Sequence, residues 1–261
     1  MKKIFFYLII IHLIFPILAN DLSIVENPTA AVLQKGEVRI SQKIYKSNSM
    51  IIGCEVGLFE IFQFGMAYGA EQVVGDEDLK PHNLPAFKAK LQLLEETFSI
   101  PAIALGIDTQ GHGKYYKKLK SFGDDDSLRK NRFETKSKGA YAVASKNFIL
   151  WGLIGIDLGS NYSFEGTSKE DRLDFFTGLY KTVGEKVTLY SDFSCGFNDT
   201  NINKPQNDPL RTRNRGFLNC ALQFQASEQF AIKLMLNDLF RNRKYSNGFD
   251  RSILIDYHWF F

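Results

Sequence analysis

The chain has 261 residues, of which 44% are hydrophobic and 23% are charged. This apolar content is sufficient for a folded core and excludes a largely disordered chain. The formal net charge is +3; without Lys2 and Lys3, which lie in a segment predicted to be removed, 32 − 2 = 30 basic residues face 29 acidic ones, about +1. This balance excludes a protein that binds nucleic acid through bulk positive charge.

The first residues have the layout of a secretory signal peptide. A short positive region, Met1–Lys3, precedes the apolar run Ile4–Leu18, and the small residue Ala19 follows it. A positive start, an apolar middle and a small residue at the cleavage point are typical of such signals. We therefore predict that residues 1–19 are a cleaved signal peptide and that the chain is exported. The alternative is a permanent anchor, for which the apolar run is short.

Period-2 alternation is the main structural signal in the rest of the chain. It predicts twelve strands, each close to the 9–11 residues that a tilted membrane-spanning strand requires. They lie near 36–45, 50–59, 61–69, 86–97, 101–110, 137–147, 151–163, 172–182, 186–198, 214–225, 229–240 and 250–261. No stretch after the signal reaches the length of a spanning helix.

The C-terminal segment carries the most specific pattern. Every second side chain is hydrophobic, and the last of them is the terminal residue; the set is Ile253, Ile255, Tyr257, Trp259 and Phe261. In a strand these side chains share one face. The pattern resembles the C-terminal signature of bacterial outer-membrane barrels, which the barrel-assembly machinery recognises.

The connections between the predicted strands alternate in length after the first one. Short turns occur around residues 60, 98–100, 148–150, 183–185 and 226–228, and long polar loops around 70–85, 111–136, 164–171, 199–213 and 241–249. A membrane barrel with both chain ends in the periplasm has short turns on one side and long loops on the other. A soluble β-sandwich, the alternative reading, gives no reason for this pattern.

These observations predict an all-β fold: a single antiparallel transmembrane β-barrel of about twelve strands, with short periplasmic turns and long extracellular loops. Residues 20–35 are expected to be a periplasmic N-terminal segment and residues 36–261 the barrel. The expected location is the outer membrane.

The face opposite the hydrophobic one is predicted to line the barrel interior. Charges at membrane depth are costly unless they are paired or hydrated, so they should point inward. The candidate lumen-lining residues are Arg39, Lys43, Glu55, Lys88, Lys90, Asp108, Lys146, Asp157, Asp192, Lys233, Asp256 and His258. Two interpretations stay open, namely a salt-bridged interior that fills the barrel and a polar pathway through it.

No catalytic constellation is apparent. No His has a Ser within two residues, as outer-membrane phospholipases require, and Asp256 with His258 forms at most an orienting pair without a nucleophile. No His/Cys cluster has zinc-ligand spacing, and no phosphate-binding loop occurs. We predict no metal, no cofactor and no enzymatic activity. Cys195 and Cys220 lie on neighbouring predicted strands, which leaves their pairing open.

Two segments resemble parts of YjbH-like outer-membrane barrel proteins. They are Gly57–Gly69 (GLFEIFQFGMAYG) and Lys136–Asn147 (KSKGAYAVASKN). The resemblance covers residues 31–261 and implies an outer-membrane barrel, associated in some members of the family with exopolysaccharide production or export. The family has no agreed catalytic residues to transfer.

Function is therefore predicted as non-enzymatic. The first hypothesis is a narrow pore, or an accessory in surface polysaccharide export; the second is a closed structural or adhesion barrel that acts through its extracellular loops; a barrel lipid hydrolase ranks third. Expected partners are outer-membrane lipids, the assembly machinery and a polysaccharide or small solute, with no nucleic acid.

Overall fold

The computed structural model describes residues 21–46, 48–73, 75, 78–116, 131–166, 172–199, 210–243 and 248–261. The predicted signal peptide, residues 1–19, lies outside these ranges. Fifteen strands occur in them: β1 (Glu37–Tyr45), β2 (Ser49–Phe59), β3 (Phe62–Glu71), β4 (Lys80–Pro81), β5 (Ala86–Leu94), β6 (Ala102–Asp108), β7 (His112–Tyr116), β8 (Arg132–Thr135), β9 (Gly139–Ile149), β10 (Leu153–Tyr162), β11 (Asp174–Val183), β12 (Val187–Ser194), β13 (Phe217–Gln225), β14 (Phe230–Asn237) and β15 (Asp250–Phe260). No helix in this part of the chain is long and apolar enough to cross a membrane.

Twelve of the strands form a closed antiparallel barrel. Going round the wall, the order is β1, β2, β3, β5, β6, β9, β10, β11, β12, β13, β14 and β15. The first and last strands pair from Glu37↔Phe260 to Ile44↔Ile253 and close the sheet on itself. All main edges are paired, which is how a barrel satisfies its backbone groups in lipid. The prediction of an all-β, twelve-stranded antiparallel barrel is confirmed.

The outer face of the barrel is apolar. Leu158 is 60% exposed and Trp259 is 51% exposed, and the neighbouring strands present Ile, Leu and Phe side chains in the same direction. The five residues of the C-terminal pattern, Ile253 to Phe261, all belong to this outward face. A continuous exposed apolar belt of this kind is unfavourable in water and suits the hydrocarbon core of a bilayer. The barrel therefore spans a membrane.

The two ends of the barrel differ in their connections. We call the end with the short connections the turn side and the opposite end the loop side. Both the start of β1 and the end of β15 lie at the turn side, where Phe261 N donates a hydrogen bond to Gly36 O (3.1 Å). The connections with most residues, between β3 and β5, β6 and β9, β12 and β13, and β14 and β15, are at the loop side. This agrees with the predicted alternation.

Two features differ from the expectation. The loop between β6 and β9 contains a hairpin of β7 and β8, where only a polar loop was predicted. Residues 21–35, expected to be periplasmic, lie inside the barrel, because their backbone and apolar side chains find partners on the lumen wall. We call residues 21–35 the plug.

Candidate functional site

The plug enters and leaves the lumen on the same side. Asp21 Oδ1 lies 3.7 Å from Lys233 Nζ, in the turn-side half of β14, whereas Glu26 accepts a hydrogen bond from Asn237, the last residue of that strand at the loop side. The chain then turns back, and Leu33 N donates to Gln63 Oε1 (2.8 Å) near the turn-side start of β3. The plug is therefore a re-entrant loop with its tip at Glu26.

Local interactions shape the plug before it meets the wall. Ile24 N donates to Asn27 O (2.9 Å) to form a turn, and Thr29 N donates to Leu22 O (3.2 Å) across it. The side chain of Ile24 is fully buried and packs in an apolar cluster formed by plug and wall residues together. That cluster contains Val25, Tyr190, Ala221, Met235 and Leu254. Apolar packing thus holds the plug against the wall in addition to its polar contacts.

A single wall carboxylate holds the turn of the plug. Oδ2 of Asp192 accepts hydrogen bonds from three consecutive backbone amides, those of Val25, Glu26 and Asn27, at 3.1, 2.7 and 2.9 Å. Asp192 Oδ1 accepts from Asn219 Nδ2 on the neighbouring strand (2.7 Å), which fixes the carboxylate. Hydrogen bonds to a charged acceptor are stronger than those between neutral groups.

Two wall lysines hold the plug by its carbonyl groups. Lys90 Nζ donates to Leu22 O (3.2 Å) and Ala31 O (2.8 Å), one on each arm of the loop. Lys233 Nζ donates to Ser23 O and Ile24 O (3.1 Å each) and lies 4.0 Å from the centroid of the Tyr190 ring. Both lysines are almost completely buried.

The tip of the plug meets the hairpin that descends from the loop side. Glu26 binds Lys43 Nζ on β1 (2.7 Å) and His112 Nε2 on β7 (3.1 Å). Burial opposes the ionisation of Glu26, but Lys43 and His112 outweigh it and hold the pKa of this carboxyl well below its usual range. The plug and the hairpin are therefore joined by an ionised contact near the loop side.

A second network occupies the wall beside the plug. Arg39 Nη1 lies 3.1 Å from Glu55 Oε1, and Arg39 Nη2 lies 2.7 Å from Asp256 Oδ1. His258 Nδ1 binds Glu37 Oε1 at 2.6 Å. Asp256 and His258, considered as an orienting pair, therefore face the lumen together but have different partners.

The predicted lumen residues point inward with one exception. Inward-facing are Arg39, Lys43, Glu55, Lys88, Lys90, Asp108, Asp157, Asp192, Lys233, Asp256 and His258. Lys146 shares the outer face, because it is paired with the outward Ile156. Its position near the turn-side end of β9 lets Nζ bind Glu96 Oε1 (3.0 Å) at the rim, where a charge need not be buried.

Glycines on the wall make room for the plug. A Cβ added to Gly57 would lie 1.9 Å from Gln34 O, and one added to Gly178 would lie 2.7 Å from Ile24 Cγ1. A larger residue at either position would meet the plug. At these two positions, the space next to the small residues of the inner face is therefore occupied by the plug.

Cavities remain alongside the plug. One lies at the loop side, a second lies between the plug and β1–β3, and a third extends to Leu22 and Lys90 in the turn-side half. Glu26 and Lys138 line all three. The lumen is thus filled in its centre and flanked by adjoining polar spaces.

Side chains typical of other kinds of site are not grouped in the described residues. These residues contain no cluster of three or more His, Cys, Asp or Glu suited to a metal ion. Cys54, Cys195 and Cys220 are free thiols, and Cys220 Sγ lies 3.6 Å from Ser191 Oγ rather than near Cys195.

Comparisons with known proteins find similar chains among solved structures alone. No family model and no curated protein matches the chain. Among solved structures, the KdgM porin has a TM-score of 0.48 at 8% identity, covering 86% of this chain and 99% of its own. An outer membrane channel from Pseudomonas putida F1 gives 0.47 at 10%, covering 92% and 98%, and the NanC porin gives 0.44 at 9%, covering 86% and 99%.

Proposed function

We propose that this protein is a non-enzymatic outer-membrane barrel that forms a narrow passage for small polar solutes. The observation that carries the proposal is the series of adjoining polar cavities beside the plug, which extends from the loop side to Lys90. The apolar outer belt and the predicted signal peptide support the outer membrane as its location.

The lining of the middle cavity suits hydrated solutes. Its charged side chains have both signs, with the basic ones in excess: Arg39, Lys43, Lys88, Lys136 and Lys138 against Glu26 and Asp108. Such a surface stays hydrated and lets small ions and polar molecules pass. Glu55 and Asp256, which do not line this cavity, pair with Arg39 and reduce the excess, so we expect only a weak preference for anions.

A role connected with surface polysaccharide is proposed as an accessory one. The resemblance to YjbH-like proteins supports the connection. The plug, however, crosses the middle of the lumen and is bonded to wall residues on β3, β5, β9, β12 and β14. A polymer chain has no continuous wide path while the plug is in place. We therefore expect loss of the gene to lower the amount of surface polysaccharide without this barrel being the conduit.

Conductance in planar bilayers tests the pore. The purified full-length protein should give discrete current steps, with reversal potentials in a salt gradient that indicate a weak anion preference. Folding is checked beforehand by heat-modifiable migration on gels, which intact barrels show. Absence of any current both with the folded wild type and with the variant Ile24→Asp/Leu33→Asp, which is designed to expel the plug, would rule out a pore.

A second candidate is a closed barrel that acts through its extracellular loops. The favouring observation is the tied arrangement of those loops: Arg132 on β8 pairs with Asp199, and Lys46 pairs with both Glu134 and Asp250. Ordered loops present a fixed surface to a partner. Deleting residues 113–134 should then abolish binding of cells to a surface while leaving heat-modifiable folding intact, and unchanged binding would count against this candidate.

A further inference from the structure

We propose that the lumen wall is a binding site for a peptide backbone, and that the plug is its built-in, exchangeable ligand. This proposal adds a ligand to the proposed pore. Its conductance tests rest on that proposed function, whereas its peptide-binding tests do not. It commits to one chemical class of ligand, an extended peptide segment with a tight turn, entering from the turn side.

The wall recognises mainly backbone groups of the plug. Wall side chains accept hydrogen bonds from the amides of Val25, Glu26, Asn27, Ala30 and Leu33 and donate to the carbonyls of Leu22, Ser23, Ile24, Ala30 and Ala31. Wall contacts to plug side chains are made with Glu26 and Asn27 at the tip and with Asp21 at the start of the plug. Backbone contacts give affinity without requiring a particular side chain, as in strand-addition complexes.

The signs of the wall charges match the polarity of a peptide. Asp192 faces amides, whereas Lys90 and Lys233 face carbonyls. Within the described part of the chain, every hydrogen bond and ion pair of these two lysine amines is made with the plug. A buried charge without a partner is costly. An emptied lumen would therefore have to take up water, ions or another peptide.

The geometry allows the ligand to leave. Both arms of the plug point to the turn side, so withdrawal requires no threading of a chain end past the hairpin. The contact that must break at the far end is the Glu26 cluster with Lys43 and His112. At Gly57 and Gly178 the plug lies directly against the wall backbone, with no wall side chain between them.

A full-length variant with an expelled plug gives the first test. Ile24 is fully buried and Leu33 almost so. Ile24→Asp/Leu33→Asp therefore buries two new carboxylates, which should drive the plug out while leaving the wall unchanged. A fluorescent synthetic peptide of residues 21–35 is then added to the detergent-solubilised variant, and binding is read by anisotropy. The control peptide has the same two Asp substitutions.

The expected result is saturable binding of the wild-type peptide with an affinity at least about ten-fold above that of the control peptide. Adding Asp192→Asn to the variant should weaken binding by about ten-fold, since it removes the charge that three amides face. Asp174→Asn is the matched control, because Asp174 is a buried inward carboxylate that binds Phe197 N instead of the plug. Equal binding of both peptides, or equal effects of the two Asn substitutions, would overturn the proposal.

The same variant separates this inference from the proposed pore. In bilayers it should conduct more than wild type, and the wild-type peptide on the turn side should restore the lower current. Peptide binding without any conductance would contradict the pore and leave the binding site standing. Conductance equal to wild type and unaffected by the peptide would contradict the binding site alone.

A cross-link tests exchange without expelling the plug. Ala30 N lies 2.8 Å from Ser145 Oγ, so Ala30→Cys/Ser145→Cys can join plug and wall in a chain whose Cys54, Cys195 and Cys220 are replaced by Ala. Exchange of the plug predicts occasional current steps as large as those of the plug-expelled variant. Oxidation of the two cysteines should abolish these large steps, and reduction should restore them. Identical opening in both states would overturn exchangeability.

Discussion

At the residue scale, buried charges on the wall depend on one another. Arg39 is in contact with two carboxylates, and all three side chains are less than one-tenth exposed. Lys88 adds a weaker contact to Glu55 at 3.8 Å. The sequence predicted that these residues face inward, because alternation fixes which face a residue takes. It did not predict the pairs, since neighbours across strands depend on register.

Replacing Arg39 should therefore be costly. Arg39→Met leaves Glu55 and Asp256 buried without their main partner, and we expect a loss of about 3–5 kcal/mol in the free energy of unfolding. The measurement is guanidinium unfolding in detergent, followed by heat-modifiable migration. Arg251→Met is the control, since Arg251 is exposed beside Phe249; equal midpoints for both variants would contradict the assigned network.

The close approach at Gly57 gives a second residue-scale prediction. In Gly57→Ala the new methyl group would overlap Gln34 O, a backbone atom that cannot rotate away. We expect a loss of about 1–3 kcal/mol of stability, the usual range for overpacking. Gly248→Ala has open space around it and should unfold like wild type. A Gly57→Ala barrel as stable as wild type would mean that the plug is not held there.

At the scale of elements, period-2 alternation was sufficient to predict all twelve barrel strands. It did not predict the plug, which folds into the lumen. The plug has no period, and its wall partners Asp192 and Lys233 are more than 160 residues away. One signal was available: Leu22, Ile24, Val25 and Leu33 are apolar for a segment expected in water. The prediction that Lys146 lines the lumen was wrong. It relied on the charge of the side chain, but a charge on the outer face is also tolerated at the aqueous rim.

The tip of the plug should respond to acid in a defined direction. Because the pKa of Glu26 is lowered in the folded state, its contribution to holding the plug is complete above its ordinary pKa of about 4.5 and is lost as the pH falls below that value. Conductance should therefore not change through Glu26 between pH 8 and 5, and it should rise in more acidic solution. Glu26→Gln should conduct more at neutral pH and lose the acid-dependent rise; a wild-type-like pH profile in this variant would contradict the role of Glu26.

At the scale of the whole molecule, the apolar belt defines the environment of the barrel. Leu158 lies in the middle of β10, and Leu173 lies just outside β11 at the loop side; both are exposed to a similar extent. If the barrel stood in water, a charged side chain would have the same energetic cost at both positions. In a bilayer they differ in depth, and depth decides the cost of a charge.

A pair of arginine substitutions therefore tests the membrane-spanning belt. Leu158→Arg should lower stability in lipid vesicles by about 2–4 kcal/mol, the range for Arg at the bilayer midplane, and Leu173→Arg by at most about 1 kcal/mol. The readout is the denaturant midpoint of folding into vesicles. Equal costs would indicate that the belt does not meet lipid hydrocarbon.

The seam between β1 and β15 has a consequence for biogenesis. The plug precedes the first strand, while the groups that hold it are spread over β3, β5, β9, β12 and β14. The plug therefore comes before its whole docking surface in the chain, and that surface is complete only when strands from β3 to β14 have assembled. The open turn side leaves the plug free to enter after β1 and β15 have paired, so closure of the wall and filling of its interior can be separate, successive steps of maturation.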